Sequence, residues 1–272
     1  MTIMDRAGQG LPLTDVEVID AHGHMGPWFN FHIRNNDAKG MIATMDRVGI
    51  RTICVAAHAS CSADPRLGND LVSQAMRDFP GRFVGYAGVN PHYPEDVEQE
   101  LAHAFEHGHT MIKLHPACHD YPVDGPNYGP VWDYAKQHNC PVLIHCWEGD
   151  RRCDPAACAK VAREHPDVII ILGHSGGPDG IDKGIAEAQK CDRLYLDITG
   201  STHTVGLVEK MVAAVGAERV LYGSDLPFID PASGIGKVAY ARIKEEEKLK
   251  ILGQNMSRLI PSRTYCAQGA GR

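Results

Sequence analysis

Short apolar runs and amphipathic stretches alternate eight times along this chain, and that alternation limits the fold more than any other feature. The runs are VEVIDA (16–21), RTICVAA (51–57), RFVGYAGV (82–89), TMIKL (110–114), CPVLIHC (140–146), DVIIILG (167–173), RLYLDI (193–198) and RVLYG (219–223). Each is rich in Val, Ile, Leu or Tyr and bounded by Gly, Pro, Asp or Asn, which predicts strands. Between them apolar residues recur at helical spacing, from Met41, Met45 and Val48 before the second run to Val205, Val208, Val212 and Val215 before the eighth. A last helical region, KVAYARIKEEEKLKILGQN, comes after the eighth run. Strands apolar on both faces and joined through helices build a parallel sheet. Eight such units in 272 residues predict an α/β chain folded as a single, distorted (β/α)8 TIM barrel spanning 1–272, with its core at about 14–262 and a disordered tail at 263–272.

Composition narrows the partners. The formal charge of −7 is spread without a basic block, which argues against nucleic acid and anionic membrane surfaces and leaves small molecules. No apolar run reaches the roughly 18 residues of a membrane span. The opening MTIMDRAGQGLPLTD lacks the apolar centre of a secretory signal, so a cytoplasmic location is expected. Nine cysteines without a C-x-x-C pair read as reduced thiols. Of the 15 histidines, His103, His107 and His109 lie on or after the polar EQELAHAFEHGHT and read as surface residues. A homodimer paired through outer helices is carried as an expectation, although no helical stripe marks such a face.

The catalytic face of such a barrel is the C-terminal mouth of its strands, where the widest loops also fall. His22 and His24 stand there in VIDAHGHMG, and residues i and i+2 of a strand point the same way, so both rings are expected to face the lumen. Taken alone, an H-x-H pair is as well explained by one structural and one exposed histidine. His145 in PVLIHCWEG, His174 in IIILGHSGG and Asp225 in VLYGSDLPF join it at other strand ends. Four imidazoles and a carboxylate at one mouth need partners, and one divalent metal ion satisfies them together, zinc first, with manganese or iron(II) as alternatives. Lys113 and His115 in MIKLHP alternate onto the lumen side as well.

These motifs resemble the amidohydrolase superfamily, specifically the amidohydrolase-2 branch of metal-dependent hydrolases and decarboxylases related to aminocarboxymuconate semialdehyde decarboxylase. The resemblance runs from VIDAHGHMG through IKLHP, CPVLIHCWEG, HPDVIIILGHSGG, LYLDITGS and RVLYGSDLPF to KLKILGQNMSRLI, nearly the whole chain. It implies His22, His24 and His145 as metal ligands, Asp225 as a ligand that also handles protons, and His174 as a contact of metal or substrate. It also implies either a free Lys113 ammonium, the preferred reading, or a carboxylated Lys113 bridging two ions.

This set is compatible with three functions. The first is a hydrolase in which a metal-activated water attacks an amide, ester or lactone of a small, carboxylated molecule, with Asp225 moving the proton, His174 steadying the oxyanion and Lys113 holding the anion. The second is a non-oxidative decarboxylase of an aromatic or muconate-type acid. The third is a binding barrel without chemistry, which so many costly buried polar groups disfavour. His115, Arg151, Trp28 and Trp147 are further substrate candidates, Arg151 against the alternative of a solvated cluster with Glu148 and Arg152. Phe29 and Phe31 could wall a pocket, and His58 and His92 stand beside strand ends without an assigned role. Asp197 is expected to order the end of the seventh strand, Gly176 and Gly177 to form a turn before a helix starting near Gly180, and Asn255 and Arg258 to start and anchor the final helix.

Overall fold

The computed structural model describes residues 1–201 and 204–261. The expected tail, 263–272, and Cys266 lie outside the described residues. Eight parallel strands appear where the apolar runs predict them: β1 (Ile19–Met25), β2 (Thr52–Ala57), β3 (Phe83–Gly88), β4 (Met111–Leu114), β5 (Val142–Trp147), β6 (Ile170–Gly176), β7 (Leu194–Asp197) and β8 (Val220–Leu221). They pair in sequence order, β1 to β8. The helices are α1 (Ile3–Gly8), α2 (Ala38–Val48), α3 (Pro65–Asp78), α4 (Val97–Glu106), α5 (Pro116–His119), α6 (Gly129–His138), α7 (Pro155–Glu164), α8 (Gly177–Lys190), α9 (Leu207–Val215), α10 (Pro231–Ala239), α11 (Glu245–Leu249) and α12 (Asn255–Leu259). No helix among the described residues is long and apolar enough to cross a membrane.

Local chemistry starts the helices. Asp64, Asp154 and Asp230 each stand before a proline and accept a first-turn N–H, an arrangement that satisfies an orphan donor and pre-sets φ. α8 begins at Gly177 rather than near Gly180 because the chain passes through four left-handed residues, His174 to Gly177, and turns straight into the helix. Val205 is outside α9 and 97% exposed, since left-handed Gly206 separates it from the helix. The final helical region divides into α11, a π turn (Lys250–Gln254) and α12. Asn255 opens α12 as expected, donating to the carbonyls of Ala217 and Val220, while Arg258 donates to its side-chain oxygen. His109 is not a surface residue: it is fully buried, its Nε2 3.1 Å from Ser73 Oγ and 3.0 Å from the Asn69 carbonyl.

The barrel interior shows strand alternation and two departures from it. Ile19, Ala21, Cys54, Ala56, Tyr86, Met111, Leu143, Ile171 and Leu221 form the lumen cluster, whereas Ile53, Val55, Ile112, Ile144 and Leu172 belong to the layer shared with the helices. In β1 the pairing runs from Asp20 with Ile53 to Gly23 with Val55, three steps against two. In β6 it runs from Gly173 with His145 to Gly176 with Trp147, again with one extra residue. Each extra residue is a bulge that switches the parity of the remaining strand residues. His22 and His24 thereby join Ile19 and Ala21 on the lumen side.

The seam between β8 and β1 closes differently from the other seven junctions. Ala21 N–H donates to the Tyr222 carbonyl at 2.8 Å, Asp225 N–H to His22 at 2.8 Å, and His24 N–H to Leu226 at 2.7 Å. Between them the buried Asp20 carboxylate accepts the N–H groups of His22 and Ser224, each at 3.0 Å. Gly223 lets the seam close behind the site, for a Cβ there would press into Thr199 Oγ1 and Asp197 Oδ1 and stand 2.8 Å from His22 Cβ. Gly223→Ala is therefore expected to destabilise the fold by about 1–3 kcal/mol. Urea unfolding measures this, and an unchanged midpoint would refute the close-packed seam.

Candidate active site

Strand parity delivers Lys113, His145 and Asp197 to the lumen in step with Met111, Leu143 and Tyr195, and the two bulges deliver His22, His24 and His174. His174 and Asp225 both adopt left-handed φ values, 65° and 67°, which non-glycine residues hold only when the surroundings determine them.

Three of the side chains converge. His24 Nε2 lies 3.5 Å and His22 Nε2 3.9 Å from Asp225 Oδ1, and the three residues can each offer one ligand atom within 4.8 Å of the other two. Lys113 Nζ is 3.0 Å from His22 Nε2, and Asp197 Oδ2 is 2.7 Å from His22 Nδ1. Rings continue outward in contact. His174 is centred 4.9 Å from both His22 and His145, and His145 lies flat on His115 at 4.1 Å and parallel to Trp147 at 5.9 Å. On the other side His24 stacks on His58 at 5.1 Å, and Phe228 and Trp28 close over His58.

Burial sets the protonation of this cluster. It pushes His22, His24, His115 and His145 well below the usual imidazole range and His174 down to about 4, so the rings are neutral and carry lone pairs. Burial also lowers the Lys113 ammonium and raises the Asp225 carboxyl to about 7, with Lys113 pulling Asp225 back down. Each neutral imidazole offers one N–H donor and one lone pair, and His24 Nδ1 and His174 Nδ1 have no hydrogen-bond partner among the described residues. Two imidazole nitrogens and a carboxylate oxygen at these separations are a donor set suited to a divalent metal ion. His22, His24 and Asp225 could hold one.

The other sequence-derived candidates lie around this triangle or beyond it. His145 stands outside the triangle, one ring beyond His174. His115 caps α5, its Nδ1 accepting the Cys118 N–H at 3.3 Å while its ring faces His145. Trp147 is 39% exposed at the rim, and Trp28 packs against Phe29 and Phe228. Arg151 is exposed on the turn after β5, whereas Arg152 pairs with Asp150 and Asp120 and Glu148 with Lys183, a solvated cluster. His92 binds the His119 carbonyl, away from the triangle. Sequence reading missed Phe228, whose only signal was its place three residues after Asp225, and the contact of Asp197 with His22, which spans 175 positions.

Comparison with known proteins bears on the family and the fold. Residues 19–261 match the family model Amidohydro_2, described as amidohydrolase. The gamma-resorcylate decarboxylase of Rhodococcus jostii (strain RHA1) is 22% identical over 251 residues, covering 72% of this chain and 75% of the relative. Among solved structures, 5-carboxyvanillate decarboxylase from Sphingomonas paucimobilis superposes with a TM-score of 0.72 at 15% identity, covering 90% of this chain and 99% of that one. A dihydroxybenzoic acid decarboxylase from Polaromonas sp. JS666, with bound manganese and the inhibitor 2-nitroresorcinol, gives 0.71 at 17% identity, covering 90% and 97%. At these identities the superpositions establish a shared fold.

Metal content checks the donor set. Protein incubated with zinc or manganese and then desalted should retain about one ion per chain by plasma mass spectrometry, and the double variant His22→Ala/His24→Ala should retain almost none. His145→Ala decides between a fourth ligand, whose loss lowers retention, and a wall residue, whose loss leaves it. Two ions per chain would point instead to a bridging, carboxylated Lys113.

Proposed function

Because the chain belongs to the amidohydrolase family, we propose that it is a metal-dependent, non-oxidative decarboxylase of an aromatic acid. This is the alternative reading of the sequence, and it takes precedence over hydrolysis of an amide, ester or lactone. The names of the relatives support it: gamma-resorcylate, 5-carboxyvanillate and dihydroxybenzoic acid decarboxylases.

The observation that carries the reading is the setting of Lys113. The residue is 1% exposed, and the hydrogen-bond partner of its Nζ is a neutral imidazole nitrogen rather than a carboxylate. A cation so placed is costly unless an anion is brought to it. The surrounding rings, His115, His145 and Trp147 on one side and His58, Trp28 and Phe228 on the other, suit a flat substrate better than a flexible one. A planar aryl carboxylate meets both requirements.

Lys113 would hold the carboxylate, and the ring stacks would keep the aryl plane fixed and exclude water. As the bond from ring carbon to carboxylate breaks, carbon dioxide leaves and the electron pair stays on the ring carbon, which takes a proton from Asp225, whose carboxyl burial raises to about 7. Solvent then returns that proton. A divalent ion held by His22, His24 and Asp225 would supply stabilisation of negative charge on substrate oxygen. The ligand types suit zinc, and manganese is the ion bound in the Polaromonas structure, so either is assigned.

Headspace carbon dioxide from a panel including 2,6-dihydroxybenzoate and 5-carboxyvanillate, run beside aryl esters, lactones and amides, tests the assignment. Carbon dioxide release that stops on chelation is expected, with kcat/KM lowered about 100-fold or more in Lys113→Met. Hydrolysis of an ester, lactone or amide without any carbon dioxide release would restore the hydrolase reading.

A further inference from the structure

Asp197 ends β7 as an almost completely hydrogen-bonded carboxylate. Its Oδ1 accepts the Thr199 N–H at 2.9 Å and the Thr199 hydroxyl, and its Oδ2 lies 2.7 Å from His22 Nδ1 and accepts the His174 N–H at 3.4 Å. The main chain is pinned too, because the Ser175 hydroxyl accepts the Asp197 N–H at 3.0 Å and donates to the Asp197 carbonyl at 2.8 Å. Both side chains of the Asp197–His22 pair are 0% exposed. With its acceptor sites occupied and its backbone clamped to β6, the carboxylate has one rotamer available.

The two groups flanking His22 dictate the same tautomer. An ionised carboxylate only accepts hydrogen bonds, so the ring nitrogen facing Asp197 carries the proton. An ammonium only donates, so the nitrogen facing Lys113 at 3.0 Å carries the lone pair. That second nitrogen, Nε2, is the one directed at Asp225. A purely structural ion pair would need a charged imidazole, whose second N–H would face the Lys113 ammonium at 3.0 Å, donor against donor. We propose that Asp197 is a positioning residue that fixes His22 as a metal ligand through Nε2, setting both its tautomer and its orientation, with Thr199 and Ser175 holding Asp197 in place.

This inference rests on the metal-dependent reading of the site. Its geometry also joins two elements, since one carboxylate oxygen serves the His22 ring from β1 and the His174 backbone from β6. Losing the carboxylate would release both. In Asp197→Asn the amide can turn its NH2 toward His22, which moves the ring proton to Nε2 and blocks the lone pair.

The test is metal affinity, measured by competition with a chromophoric chelator and without turnover. Asp197→Asn is expected to bind zinc or manganese about ten- to hundredfold more weakly than the unaltered chain. Thr199→Val, which keeps the carboxylate and removes one of its donors, is expected to show a smaller loss and serves if Asp197→Asn fails to fold. Nitrogen-15 imidazole spectra of the unaltered protein report the tautomer directly, with His22 protonated on Nδ1. An Asp197→Asn affinity within twofold of the original, or a His22 proton on Nε2, overturns the proposal. If the unaltered chain binds neither ion, the metal reading fails, and the nitrogen spectra still decide the tautomer that Asp197 imposes.

Discussion

A parallel sheet cannot leave the backbone donors and acceptors of its first and last strands bare inside a protein, and the way this barrel closes on itself determines its site. β8 is only two residues long, so the seam to β1 continues through the segment beyond it. Backbone bonds at Ala21, His22 and His24 and the Asp20 carboxylate hold that segment in place. Closure therefore draws Asp225 alongside His22 and His24. The bond from Asp225 N–H to the His22 carbonyl is at once part of the wall and the reason the two side chains share a space.

The buried polar cluster is organised by sign. Asp197 and Lys113 approach opposite nitrogens of one neutral ring, a carboxylate behind and an ammonium in front. Desolvation makes each of these groups expensive alone, and their arrangement around His22 offsets part of that cost while keeping the imidazole uncharged. The outer rings are less polar and are stacked, giving the site a charged floor and aromatic walls. Such a combination suits chemistry in which charge appears on a flat molecule away from water.

Much of this was legible in the chain. The eight apolar runs are the eight strands, and His22, His24, His145, His174, Lys113 and Asp225 all come to one mouth because each sits at a strand end. Boundaries were less legible. β1 and β6 extend past the apolar runs through the histidines themselves, since a polar side chain facing the lumen looks like the end of a strand to a hydrophobicity pattern. His109 was misread for a related reason: it comes after a polar helix segment, yet the turn folds it inward onto Asn69 and Ser73.

The sequence by itself determined the alternation, the closed barrel it implies, and the set of imidazoles and carboxylate placed at the strand ends, because period and position are local properties. Tertiary structure alone decided which of those groups meet. Strict alternation from Ile19 and Ala21 would turn His22 and His24 outward, and a one-residue bulge, visible only in the pairing with β2, turns them in. The partnership of Asp197 with His22 links residues 175 positions apart. No local pattern encodes such a contact, since it exists only once the sheet has curled and its edges have joined.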